Sequence, residues 1–220
     1  MPTARVPDAI LFDLDGTLVD TVPSRIEAWL AGFDEFGIPA TRAQLAPMIG
    51  MDGRRLALEV AAAAGRHLTD AEAEAIDRRS GELFDDRNRD PRPLPGAREL
   101  VRALDERGLT WAIATSSRRE QVKTSIAALD LAHEPRIVDG SSVEHAKPAP
   151  DLLLLAAREL AVAPEACWYV GDSTWDMRAA RAAGMVAIGV LAGAAVDAAA
   201  LRGAGASLVV PTLGDLELAG

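Results

Sequence analysis

A chain of 220 residues in which 49% of side chains are hydrophobic and 25% are charged can bury a sizeable core and lacks the composition of a disordered protein. Its net charge of −10 excludes the basic footprint of a nucleic-acid binder, so an anionic ligand must find positive charge locally, at a metal, an isolated lysine or arginine, or a helix N-terminus. The lone cysteine, Cys167, sits in an apolar run, which excludes an intramolecular disulfide and makes a reducing cytoplasm the expected compartment.

With a core strand opening within the first ten residues, no signal peptide is expected. The longest apolar stretch, 185–196, is too short and too interrupted by glycine to span a bilayer, so no membrane partner is expected. Lysine is nearly absent, with Lys123 and Lys147 against 21 arginines, and each lysine is correspondingly informative.

Residues 9–12 are an apolar run suited to a buried parallel strand, and it leads straight into Asp13 and Asp15, with Gly16 and Thr17 next. Alternation directs both carboxylates to one side of the strand's carboxyl end. Two like charges so close repel unless a cation or a shared proton compensates them, which is the signature of a metal site beside a nucleophile.

Residues 21–95 contain no strand pattern. Ser24 is placed to cap a helix through Phe36 with Ile26, Trp29, Leu30, Phe33 and Phe36 on one face and Gly37 at its end. Thr41 begins a short helix toward Met48, Asp52 caps another that reaches Gly65, and Thr69 with Glu72 forms a capping box for one running to about Asp86. The proline-rich 90–96 segment is a stiff return linker. From Gly96 helices and strands alternate: helix 97–107, strand 110–115, helix 118–129, strand 136–138, helix 151–161, strand 167–170, helix 175–183, strand 186–190, helix 196–203, strand 207–210. This is the pattern of an α/β fold with an open, doubly wound parallel sheet. The expected division is a core of 1–20 and 96–220 with an all-helical insert, 21–95. Ligands in such sheets bind beyond the carboxyl ends of the strands.

Polar residues gather at those ends. Strand 110–115 finishes in Thr115 and is followed by Ser116 and Ser117, whose hydroxyls and helix-entry N–H groups can hold a phosphoryl oxygen or simply cap a helix. Lys147 precedes a proline-stiffened turn into a helix and can neutralise a carboxylate and a phosphate together. Strand 167–170 leads to Gly171 and Asp172, with Asp176 four residues on. Three aspartates and a backbone carbonyl suffice for Mg²⁺, a hard cation that keeps several waters.

DLDGTLVD at 13–20, the Thr115 strand end, Lys147-Pro148 and GDSTWD at 171–176, in that order and with a helical insert after the first, resemble the four motifs of the haloacid dehalogenase superfamily. The position of the insert resembles the C1-capped branch of phosphoglycolate phosphatases and β-phosphoglucomutases. The resemblance implies a Rossmann-like core, a helical cap over residues 21–95, and a Mg²⁺-dependent phosphatase acting on a small phosphate monoester. It implies Asp13 as the nucleophile that forms an aspartyl-phosphate and Asp15 as the acid and base. The metal would be held by Asp13, the Asp15 carbonyl, Asp172 and Asp176, the last directly or through water. Thr115, Ser116 and Lys147 would cradle the phosphate, with Gly16 and Thr17 in contact with substrate.

Within the family, Asp15 argues for phosphoryl transfer, because dehalogenases of this type need no leaving-group acid. The absence of lysine from 21–95 argues against a Schiff-base phosphonatase. β-Phosphoglucomutase relatives carry a cap histidine where this chain has Arg25, which leaves a phosphomutase as the second enzymatic reading and a catalytically inactive binding module as the non-enzymatic one. The Gly-rich turn at 49–55 resembles the specificity loop of this branch. Arg54 or Arg55, with Arg25, is therefore expected to contact the far end of the substrate. Partner expectations are a small phosphorylated metabolite and a monomeric or homodimeric protein.

Overall fold

The structure, a computed structural model, describes residues 6–218. β1 (Ala9–Phe12) is wholly buried, and each successive strand, β2 (Thr110–Thr115), β3 (Ile137–Asp139), β4 (Cys167–Gly171), β5 (Val186–Val190) and β6 (Leu208–Val210), pairs in parallel to give the order β3-β2-β1-β4-β5-β6. Because both faces are covered, alternation divides each strand between two apolar layers. Ile10 and Phe12 pack with Trp111, Ile113 and Val170 against Leu100 and Leu104 of α5 (Ala97–Glu106) and Val122 of α6 (Arg119–Ala128). Ala9 and Leu11 pack with Ala112, Cys167 and Tyr169 against α7 (Asp151–Glu159), α8 (Thr174–Ala182) and α9 (Ala198–Ala204). Cys167 is thus a core side chain.

Between β1 and α5 the chain forms α1 (Val22–Glu35), α2 (Arg42–Leu45), α3 (Gly53–Ala63) and α4 (Asp70–Arg87). These helices share an apolar cluster of their own, built on Ile26, Trp29, Phe33, Leu56, Val60 and Ile76, which also takes in Trp175 from α8. Thr41 with Gln44 and Thr69 with Glu72 form capping boxes, and Asp52 accepts from the Arg55 N–H at 2.9 Å. Ser24 does not cap α1. The N-cap lies three residues earlier, at Thr21, with Pro23 in the first turn, and the Thr21 hydroxyl donates to Asp15. Phe36 falls beyond the end of α1 and is exposed.

The strand order reverses between β1 and β4, and a crevice opens there beyond the carboxyl ends of the sheet. Among the described residues no helix is long and apolar enough to cross a membrane.

Candidate functional site

Asp13 follows the last residue of β1 and Asp172 the last residue of β4, and these adjacent parallel strands bring the two together across 159 residues of sequence. With Asp176, in the first turn of α8, they form a buried group whose oxygens lie within 4.8 Å of one another. The ammonium of Lys147, only 2% exposed, donates to Asp13 Oδ1 at 2.7 Å and to Asp176 Oδ1 at 2.8 Å. Burial pushes the Asp13 carboxyl up to about 7 against the opposing pull of Lys147, and burial likewise raises Asp172 well above the carboxylate range. Burial disfavours the charged lysine, but Asp13 and Asp176 outweigh it and raise its pKa.

Asp176 is saturated. Its Oδ1 accepts from Lys147 and lies 3.2 Å from the Tyr169 hydroxyl, while its Oδ2 accepts from the Ser173 N–H at 3.0 Å and the Ser173 hydroxyl at 2.6 Å. Its place is therefore behind Lys147, fixing it. Asp13 and Asp172 each keep an oxygen outside these bonds. With all three carboxylates ionised, the one ammonium leaves two negative charges in a buried, all-oxygen site, and that donor chemistry fits one hard divalent cation such as Mg²⁺.

Asp15 is held differently. It accepts from the Thr21 hydroxyl at 2.7 Å, from Arg25 Nη2 at 3.1 Å and from the Ser117 hydroxyl. Burial acts to raise its pKa, but the Arg25 charge and these hydrogen bonds hold it below the usual carboxylate value. Arg25 also donates to Ser117 at 3.0 Å, and its Cζ lies over Phe84, 3.5 Å from the ring centre.

A cavity of about 470 Å³ separates α1, α3 and α4 from these strand ends, and Asp13, Asp15, Asp172, Thr115, Ser116 and Arg25 all line it. Thr115 ends β2 and accepts from the Ser117 N–H at 3.2 Å. The Ser116 hydroxyl is buried without a hydrogen-bond partner among the described residues.

Five expected contacts are not brought to this cavity, the first being Lys147, whose ammonium is engaged by Asp13 and Asp176 instead of lining it. Gly16 and Thr17 do not line it: Thr17 is fully buried and donates to Asp172 at 3.0 Å. Gly16, at φ +82°, has its missing side chain replaced by Asp172, whose Oδ2 would lie 2.4 Å from an added Cβ. Both residues position Asp172. Arg54 faces Glu74 at 3.9 Å, and Arg55 pairs with Glu59 at 2.7 Å and lies over Trp175. Because Asp52 caps α3 at this point, both arginines leave along the helix surface rather than into the cleft.

Thr21, Tyr169 and Ser173 were not singled out by the sequence, although they orient the acidic groups, and Ser117, expected at a phosphoryl oxygen or as a helix cap, donates to Asp15. Tyr169 had a readable signal, as the only tyrosine of the chain set in an apolar strand, where a buried phenol needs a partner. The other two look like ordinary cap or turn hydroxyls.

A family model described as haloacid dehalogenase-like hydrolase matches residues 7–184. A phosphoglycolate phosphatase from Xanthomonas campestris is 34% identical over 204 residues, covering 86% of this chain and 85% of the relative. An N-acetylmuramic acid 6-phosphate phosphatase from Pseudomonas aeruginosa is 32% identical over 182 residues, covering 80% and 78%. The crystal structure of a hydrolase from Pseudomonas syringae superposes with a TM-score of 0.89 at 34% identity, covering 94% of each chain.

Proposed function

The chain belongs to the haloacid dehalogenase-like hydrolases and is a phosphatase; from that premise we propose that it cleaves a small phosphate monoester with Mg²⁺ through an aspartyl-phosphate on Asp13. The observation that carries this reading is the state of Asp13. One oxygen is fixed by Lys147, the carboxylate lines the cavity, and Asp15 stands two residues away on the same cavity wall.

In the first step the Asp15 carboxylate takes up the proton of the bound phosphate monoanion, an Asp13 oxygen attacks phosphorus in line, the bond from phosphorus to the ester oxygen breaks, and the departing alkoxide takes that proton from Asp15. In the second, the Asp15 carboxylate takes a proton from water as that water attacks phosphorus, and the bond to Asp13 breaks, releasing inorganic phosphate. Thr115 and Ser116 offer donors to the phosphoryl oxygens. Lys147 fixes the nucleophile, and Asp176 with Tyr169 and Ser173 fixes Lys147. Asp13 and Asp172 would hold a magnesium ion, which would offset the repulsion between the nucleophile and an incoming phosphate. Segment 21–95 serves as the cap that closes this chemistry from water.

The phosphomutase reading is weaker here. A guanidinium stands against Asp15 where the mutase branch carries a titratable histidine, and it does not exchange protons near neutral pH. The proposal is tested by acid-quenching the protein with a ³²P-labelled monoester in Mg²⁺. Protein-bound label released by hydroxylamine supports an acyl-phosphate, and label persisting in Asp13→Asn refutes its assignment to Asp13.

A further inference from the structure

The motif at 171–176 carries one large side chain that the chemistry above leaves unused. Ser173 and Asp176 bond each other beside Lys147, whereas Trp175, in the same turn of α8, packs into the cap. Among the described residues, every other buried member of the cap's apolar cluster comes from 22–76, and Trp175, 8% exposed, is the one supplied by the core. A buried indole N–H needs an acceptor. Trp175 Nε1 donates to the Pro47 carbonyl at 3.0 Å, joining positions 128 residues apart. Three residues beyond Pro47, Gly50 adopts φ +94°, and a Cβ added there would stand 2.8 Å from Ser173 Oγ and 3.7 Å from Trp175 Cδ1. Segment 47–50 is thus seated on the indole and on the residue that caps α8.

This seat bears on the cavity. Ile49, Gly50, Met51, Asp52 and Gly53 supply part of its lining from the cap, while Trp175 does not reach it. Where the chain leaves and re-enters the core, the Asp20 N–H donates to the Arg92 carbonyl at 2.8 Å and the Leu94 N–H to the Leu18 carbonyl at 2.9 Å. Those bonds fix the crossings and leave the placement of 49–53 over the strand ends to contacts made by that segment itself. Helix α4 has a separate tie to the core in Arg118, which pairs with Glu74 and Asp77 at 3.0 Å each on a surface partly open to water. For 47–53 the tie is the buried Trp175 bond.

We infer that Trp175 is a positioning residue for the leaving group: by pinning segment 47–53 to the loop that carries Asp172 and Ser173, it sets where the cap wall meets the group departing from phosphorus. This rests on the phosphatase reading above and adds to it the residue that holds the leaving-group wall in place. Loosening the pin weakens recognition of the leaving group. The phosphoryl site, built from Asp13, Thr115 and Ser116 of the core, keeps its hold on inorganic phosphate.

The test measures kcat/KM for p-nitrophenyl phosphate in saturating Mg²⁺, together with the inhibition constant of inorganic phosphate, which fills the phosphoryl site without a leaving group. Trp175→Phe keeps a ring and loses the bond to Pro47, so kcat/KM should fall by about threefold or more, the scale of one hydrogen bond. Its phosphate inhibition constant should stay within about twofold of the parent's. Trp175→Ala should lower kcat/KM by about tenfold or more with the same indifference to phosphate, and Trp175→Phe decides alone should the alanine variant unfold. Trp111→Phe is the matched control. Its indole is equally buried, donates to Asp105 at 2.8 Å and stands near the amino end of β2, away from the cavity. That variant should lose comparable stability in thermal melts and keep both constants within about twofold of the parent's. Three results overturn the inference while leaving the phosphatase reading standing: Trp175→Phe with unchanged kcat/KM, a phosphate inhibition constant that rises in step with the loss, or an equal loss in Trp111→Phe. No phosphate release from the reporter by the parent protein overturns the phosphatase reading and this inference with it.

Discussion

Lys147 Nζ lies 2.7 Å from Asp13 Oδ1 in a site where both side chains are almost entirely withdrawn from water. A lysine 134 residues from the first acidic motif is therefore its direct electrostatic partner. Breaking a buried pair from one side leaves an uncompensated charge, which costs about 3–5 kcal/mol. Lys147→Met should lose stability on that order in denaturant unfolding and should also lose turnover. A loss below about 1 kcal/mol would mean that the ammonium does not compensate the acidic group.

The proton and the metal compete for Asp13. With its carboxyl near 7 in the fold and near 4 when unfolded, the folded state holds a proton between those values that the unfolded chain has released. This group's contribution to stability is present at low pH and is lost as pH rises from about 4 to about 7 in metal-free protein. Mg²⁺ binds the carboxylate form, so it should raise the melting temperature more at about pH 8 than at about pH 5.5. Thermal melts with Mg²⁺ or EDTA at the two pH values check this, and an equal shift at both would contradict it. EDTA should silence activity, and excess Ca²⁺ should inhibit, because its looser coordination can engage both oxygens of the nucleophile.

Gly16 gives way to Asp172 at a left-handed position. Gly16→Ala meets both a backbone strain of about 1–2 kcal/mol and a collision with Asp172 Oδ2. The Mg²⁺ concentration for half-maximal activity should rise by about tenfold, as for loss of a group that orients a ligand. An unchanged Mg²⁺ dependence would show that Asp172 is not a ligand.

Arg54 and Arg55 lie on the outside of α3. Substituting alanine for either should change KM by less than about twofold for any good substrate, the usual result for an exposed charge held in a surface pair. A rise of about fivefold or more would place the side chain in the cleft after all.

The acidic centre and the sheet were legible because both follow from short-range rules. An apolar run fixes β1, alternation fixes the side of Asp13 and Asp15, and the parallel pairing of β1 with β4 carries Asp172 to the same place. The helix start at Thr41 and the capping box at Thr69 were legible for the same reason. Cross-chain partnerships were not. Whether Thr21 caps α1 or bonds Asp15, and whether Arg25 or Arg54 enters the cleft, depends on how the helical segment lies over the sheet, and residues so far apart in sequence carry no local mark of it. Thr17 illustrates the limit: adjacent to the acidic pair, it was expected at the substrate, yet burial turns its hydroxyl onto Asp172.

Everything in the account turns on Asp13 as the group that accepts the phosphoryl. Asp13→Asn keeps the shape while removing a buried negative charge, so the variant should fold at least as well as the parent in metal-free buffer. Its rate of phosphate release from p-nitrophenyl phosphate in saturating Mg²⁺ should fall below about one thousandth of the parent rate. A well-folded variant that retains more than that fraction would contradict the assignment.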